Sequence, residues 1–292
     1  MAKLFHILFI VSILFFFLSQ PVAALTQTQR ASLFQQIEIL RYEIQLLQSL
    51  LFNLQRQQEI SAASYLAVGL SDNSVILAKN VNQSYPIASI TKLMSAVVAS
   101  EHIEKSQTIT LTEKMLEPLG HSPSLFLGLR VSAENLLKAS LIQSTNDASE
   151  SLAYFLGKEK FLSLMNQKAK ELGMKNTFFS DSHGLSLANR STVADLAKLL
   201  TYIHQEHPEI LQITRDNNFW LPDSAGRLLK FQNVNNFYLL GHFIGGKTGY
   251  LPQAKQTLAS IFRVNQEPVA IILLYSDNRQ ADAFTILKQL RK

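Results

Sequence analysis

With 292 residues, 47% of them hydrophobic, the chain has room for one large domain or two small ones and can bury a sizeable core. Its 27 basic and 22 acidic residues leave a formal charge of +5, spread without a basic run or an arginine–aromatic cluster, which argues against nucleic acid as a partner. There is no cysteine, so disulfides, zinc–thiolate sites and cysteine nucleophiles are excluded.

At the N-terminus, Lys3 precedes an apolar run from Leu4 to Leu18 and the small-residue segment Ser19-Gln20-Pro21-Val22-Ala23-Ala24. This pattern predicts an export signal over residues 1–24, cleaved after Ala24. The alternative is an uncleaved anchor, for which the run is short against the ~20 apolar residues that span a bilayer. Either reading puts the bulk of the protein outside the cytoplasm, in the periplasm or cell envelope. Residues 25–60 shift to Gln, Leu and Ile, with Leu33, Ile37, Leu40, Ile44, Leu47, Leu51 and Leu54 in alternating steps of four and three, a heptad seam. Leu46 and Leu50 widen the stripe, so the helix suits self-association or a membrane or domain surface, as a spacer or partner element.

After Ser61, the β-rich runs Ser64–Leu70 and Val75–Ala78 flank a polar turn and predict a hairpin. Pro86 suits a turn before a helix that carries Ser89. Helical spacing then recurs over Val131–Ile142, Asp147–Leu156, Lys160–Leu172 and Thr192–His204. Strand patterns return at Gln256–Phe262 and Pro268–Tyr275 around a turn at Asn265-Gln266-Glu267, and Ala281–Leu290 reads as a closing helix. Strands at both ends with helices between predict an α+β domain over residues 61–292: an antiparallel sheet built from both ends of the domain, beside a helical subdomain.

Three short stretches carry chemistry. In Ser89-Ile90-Thr91-Lys92, positions three apart share a helix face, so the Lys92 amine can reach the Ser89 hydroxyl. The run Leu93, Met94, Ala96, Val97 and Val98 beside it is apolar enough to be buried, which would desolvate the amine and lower its pKa. A solvated serine at a helix start is the alternative for this pair alone. Ser144-Thr145-Asn146 lies between two helices, where Ser144 and Asn146 either project into a cleft or cap the next helix. In Gly245-Gly246-Lys247-Thr248-Gly249-Tyr250, glycines let a ligand approach the backbone, or the segment is a turn with an exposed lysine. His121, His183 and His242 stand isolated and are assigned no role; Asp181 and His183 at most shape a loop near the cleft. No metal-ligand spacing is present, and neither metal nor cofactor is expected.

Ser-x-x-Lys, Ser-x-Asn and Lys-Thr-Gly in this order resemble the motif set of penicillin-recognising serine enzymes. With His183-Gly184-Leu185, Met165-Asn166 and Ser191 to Leu196, the region from Ser61 to Lys292 is similar to the D-alanyl-D-alanine carboxypeptidase family. The resemblance implies a β-lactamase/penicillin-binding-protein-like fold and removal of the terminal D-alanine from peptidoglycan stem peptides, with β-lactam antibiotics as covalent inhibitors. It implies Ser89 as nucleophile, Lys92 as its base and Ser144 as proton relay to the leaving amine. Asn146 would bind the substrate backbone and hold Lys92, Lys247 and Thr248 would bind the terminal carboxylate, and Gly249 would leave space for substrate along the strand. The backbone N–H groups of Ser89 and Tyr250 would form the oxyanion hole. Lys247 is expected to disfavour protonation of Lys92. The chain departs from the family pattern at Thr145 and Lys255, where glycine is usual. An endopeptidase acting on peptidoglycan cross-links shares every one of these motifs. A β-lactamase would need Glu159, Glu171 or Asp181 to activate water, and a non-catalytic scaffold would not need the retained motif residues.

Overall fold

The computed structural model describes residues 26–290 other than His121 and Ser224, so the expected signal segment, residues 1–24, lies outside the described residues. The chain divides into two compact units between Gln58 and Glu59. The first contains α1 (Gln27–Gln58), free of glycine and proline. Thr26 starts it with a reciprocal cap: its N–H donates to Gln29 Oε1 at 2.9 Å, and its Oγ1 accepts from Gln29 N at 3.4 Å. Phe34, Tyr42, Ile44 and Leu47 are exposed along it.

In the second unit, β1 (Ser64–Gly69) and β2 (Val75–Lys79) form the expected hairpin. They join β9 (Phe243–Leu251), β10 (Lys255–Val264) and β11 (Glu267–Ser276) in an antiparallel sheet of order β2-β1-β11-β10-β9. The first strand of the domain pairs with its last, from Ser64 opposite Leu274 to Gly69 opposite Val269. Alternation along β10 and β11 separates two cores. Ala259, Ile261, Ala270 and Ile272 face the helical region. Leu258, Phe262, Ile271 and Leu273 face Phe237, Phe243 and the closing helix α8 (Arg279–Leu290). With both faces covered, the middle of each of these strands is continuously buried, and in β11 it is apolar throughout from Val269 to Leu274.

The helical region contains α2 (Thr91–His102), α3 (Ala133–Ile142), α4 (Asn146–Leu156), α5 (Lys158–Glu171) and α6 (Val193–Glu206), all expected, and the short α7 (Pro208–Ile213). Ser132 and Thr192 cap α3 and α6 by accepting from the N–H groups three residues on. Residues Thr91 to Ala99 of α2 are all buried, as suits a helix at the centre of a domain. Short pairs are formed by β3 (Tyr85–Pro86) with β6 (Arg190–Ser191), and by β4 (Thr108–Thr110) with β5 (Arg130–Ser132). Strands β7 (Asn218–Pro222) and β8 (Leu228–Gln232) make a hairpin.

Two local expectations are corrected. Pro86 lies in a β-bridge rather than a turn. Ser89 sits on a separate 3-10 turn, Ala88–Ile90, ahead of α2. Of the two readings of Gly245 to Tyr250, the turn with an exposed lysine does not hold, because the segment is strand and Lys247 is fully buried.

Candidate active site

The 3-10 turn sets the centre of the site. Residues three apart eclipse one another in that geometry, so Lys92, on the first turn of α2, lies over Ser89, with Nζ 3.1 Å from its Oγ. The turn is tied down by Thr91 Oγ1, which donates to Ala88 O at 2.8 Å, and by Ile87 N, which donates to Asn189 O at 3.0 Å. Ala88 takes a φ of +49°, a conformation that costs a side-chain-bearing residue free energy and is held by these contacts.

Lys92 is fully buried and also reaches Asn146 Oδ1 at 2.7 Å and His183 O at 2.6 Å. Burial lowers its pKa from 10.5 to about 7, against the opposing pull of Asp181 and Asp147. In the neutral amine, two N–H groups serve Asn146 and His183, leaving the lone pair for the Ser89 hydroxyl. Burial, rather than the expected influence of Lys247, is the first cause of this shift. Lys247 is itself held well below its usual range, first by burial, then by the Lys92 and Arg279 charges.

Ser144 lies between α3 and α4 at a φ of +63° and accepts from Lys247 Nζ at 2.8 Å. Lys247 also donates to Thr248 O at 3.1 Å. Helix capping does not account for Ser144 or Asn146: the cap position is Thr145, without a side-chain cap bond. The Asn146 amide instead spans Lys92 and Leu119 O, donating to the latter at 2.6 Å. Thr145 has a φ of −66°, open to any residue, and its buried Oγ1 has no partner.

Strand β9 brings Lys247, Thr248, Gly249 and Tyr250 alongside. A Cβ on Gly249 would meet Thr257 Oγ1 at 2.6 Å and Ser89 N at 2.8 Å. The room that glycine provides is therefore filled by the Ser89 turn, where sequence reasoning reserved it for substrate. This contact sets the Ser89 N–H beside the Gly249-Tyr250 backbone, while the Tyr250 side chain is exposed. Lys255 takes a φ of +52°, the left-handed region that glycine favours. Its amine leaves the cleft, donating to Asp277 Oδ1 at 2.6 Å and lying 4.5 Å from the Tyr275 ring centre.

Sequence reasoning missed two participants. The His183 carbonyl, one of the three oxygens on Lys92, is set by Asp181. That carboxylate accepts from His183 N, Gly184 N, Ser186 N and Asn189 Nδ2 at 2.5–3.0 Å. Its oxygens are thus committed to the loop, and Glu159 and Glu171 are exposed on α5, so none is placed as a water-activating acid. Arg279, the first residue of α8, donates from Nη1 to Gly249 O at 3.0 Å. With Thr248, Asn235, Gln256 and Asn278 it lines a polar cavity of about 200 Å³. No local motif marks Arg279, because only the packing of α8 on β10 and β11 brings it to the site. His242 packs against Phe262 in the second core, His121 lies outside the described residues, and among those described no side-chain cluster could hold a metal.

A model of the S11 peptidase family, described as D-alanyl-D-alanine carboxypeptidase, matches residues 52–278. The chain is 32% identical over 231 residues to the D-alanyl-D-alanine endopeptidase of Escherichia coli K12, covering 75% of this chain and 72% of that one. It is 30% identical over 240 residues to the D-alanyl-D-alanine carboxypeptidase DacF of Bacillus subtilis 168, covering 76% and 59%. The crystal structure of a D-alanyl-D-alanine carboxypeptidase from Mycobacterium tuberculosis H37Rv superposes with a TM-score of 0.74 at 24% identity, over 79% of this chain and 90% of that one. The superposition shows the shared fold, and the family match extends over most of the domain that holds the buried lysines. This chain belongs to the S11 serine peptidases, the D-alanyl-D-alanine carboxypeptidase family.

Proposed function

We propose that the protein is a serine-type D-Ala-D-Ala carboxypeptidase that removes the terminal D-alanine from peptidoglycan stem peptides through an acyl-enzyme on Ser89. The observation that carries this reading is the Ser89 hydroxyl 3.1 Å from a buried amine with a pKa of about 7. Neutral Lys92 takes the Ser89 proton as Oγ attacks the penultimate carbonyl. The resulting oxyanion is met by the Ser89 and Tyr250 N–H groups. Ser144, bonded to Lys247, passes a proton to the leaving D-alanine amine and takes one from the Lys92 ammonium, which returns Lys92 to its neutral form. Water then attacks the ester, with Lys92 again as base.

The terminal carboxylate would lie by Lys247, Thr248 and Arg279. Its negative charge would favour the ammonium form of Lys247 that burial now disfavours. Asn146 holds Lys92 and offers its amide to the substrate backbone. β-Lactams would acylate the same serine. We assign residues 1–24 to export or anchoring and α1 to a spacer, with membrane association or self-association as its use.

The test incubates the purified protein with pentapeptide muropeptides and a labelled penicillin, then repeats both with Ser89→Ala. Release of D-alanine and a covalent label mapped to Ser89, both absent in the variant, are expected. Failure of the wild type in both assays would sink the proposal. The endopeptidase name of the Escherichia coli relative favours a second reading, cleavage of cross-links. Turnover of cross-linked dimers alone would replace the first reading with the second.

A further inference from the structure

Behind Lys92 lies a second buried ionic cluster that the mechanism above does not use. Glu150 is one turn along α4 from Asn146, on the same helix face, and is 2% exposed. Its Oε1 pairs with Lys158 Nζ at the start of α5, and its Oε2 accepts from Ser182 Oγ at 2.8 Å. The same oxygen lies 3.7 Å from His183 Nε2. Ser182 is also bound to the helix of Lys92, since Ser95 Oγ donates to Ser182 O at 2.5 Å. A carboxylate at this depth is costly unless every oxygen is served, and burying one here has a visible structural result. It clamps, from below, the residue pair whose carbonyl holds Lys92.

The ring of His183 sits between two carboxylates, with Nδ1 3.4 Å from Asp181 Oδ1 and Nε2 facing Glu150. Leu185 N donates to Nδ1 at 3.3 Å, which makes Nδ1 an acceptor and puts the ring proton on Nε2, towards Glu150. Burial holds this imidazole below its usual range, so it stays neutral near pH 7. The α4 helix therefore grips the base twice, through Asn146 directly and through Glu150 by way of Ser182 and His183.

We propose that Glu150, balanced by Lys158, is a positioning residue for Lys92: it fixes Ser182 and the His183 ring so that the His183 carbonyl stays on the Lys92 amine. This inference rests on the reading of Lys92 as general base. The charged and titratable groups facing Lys92 are Asp181, Asp147 and Lys247, with His183 presenting its carbonyl. Those facing Glu150 are Lys158 and His183, and Tyr154 lies under Lys158 with its ring centre 5.3 Å from Nζ.

The experiment is the rate of acylation by labelled penicillin across pH 5–9 for the full chain, with Tm for each variant. Glu150→Gln removes a negative charge, leaves the Lys158 ammonium unbalanced and loosens the His183 carbonyl. All three disfavour protonated Lys92, so the midpoint of the acid limb moves down by roughly half a unit. Loss of alignment lowers the plateau rate by about tenfold. Lys158→Met acts from the protein surface and leaves Glu150 unbalanced, so its midpoint moves up. The double variant, with both charges gone, returns the midpoint towards wild type while the plateau stays low. Midpoints unmoved in both single variants overturn the proposal, even if Tm or plateau rate falls, because a merely structural role would do that. Should Glu150→Gln fail to fold, the direction of the Lys158→Met shift decides alone. A wild type that is not acylated at all instead overturns the underlying reading, and the two failures are thereby distinguished.

Discussion

Burial, rather than a neighbouring cation, is what makes Lys92 a usable base, and this has a measurable signature. With a pKa lowered to about 7, the neutral fraction of Lys92 rises tenfold per unit as pH climbs towards that value, then levels off. Acylation by penicillin should follow the same curve, rising through an acid limb centred near pH 7 and flat above it, as a stopped-flow series would record. A limb centred near pH 10 would mean a solvated amine and no base at this position. At this scale the sequence was informative about identity and silent about environment. Ser89, Lys92, Ser144, Asn146, Lys247 and Thr248 are brought together, and each could be named from three short motifs and the family they resemble. Arg279 and the His183 carbonyl could not. One reaches the site only through packing of α8 on β10 and β11, and the other acts through a backbone atom that no side-chain pattern encodes.

Among the elements, the long ones were legible because their patterns are long, helical periodicity in α3 and α5 and extended β-rich runs in β10 and β11. The short ones were not. Strand β9 carries no strand signature, because Gly245, Gly246 and Gly249 remove the apolar alternation, yet each glycine is there to let the strand touch its neighbours. The 3-10 turn of Ser89 depends likewise on a contact remote in sequence. Gly184 has a φ of +93°, and a Cβ there would overlap the Ala88 carbonyl. Gly173 is left-handed too, at +66°, but faces open space. Replacing Gly173 by Ala should therefore cost about 1 kcal/mol, the conformational penalty alone. Gly184→Ala adds a collision with backbone and should cost about 3 kcal/mol. It should also slow Ser89 acylation, while Gly173→Ala leaves it unchanged. Thermal melts and penicillin labelling on the two variants check this, and equal effects would refute the link between the His183 loop and the nucleophile's turn.

For the molecule as a whole, the border of the catalytic unit is set by a carboxylate. Asp282 of α8 is 2% exposed and accepts from Ser61 N and Ser61 Oγ at 2.8 Å, from Ala62 N at 3.0 Å and from Ser276 Oγ at 2.6 Å. Ile60 packs on the second core nearby. The segment just after α1 is thus a clasp that fastens the start of β1 to the closing helix, and heptad spacing, which reads on to about residue 60, gives no sign of it. A chain beginning at Glu59 keeps the clasp and should match the full chain in Tm and in penicillin acylation, since the site is built wholly from residues after it. A chain beginning at Ala63 loses Ser61 and Ala62 and leaves Asp282 with one of these donors. A buried carboxylate stripped of partners costs roughly 3 kcal/mol. The shorter chain should be less stable by about that amount, and denaturant melts at pH 7 on the two truncated chains measure the difference. Equal stability of the two at pH 7 would show that the clasp holds nothing, and lost acylation in the chain beginning at Glu59 would show that α1 belongs to the catalytic unit after all.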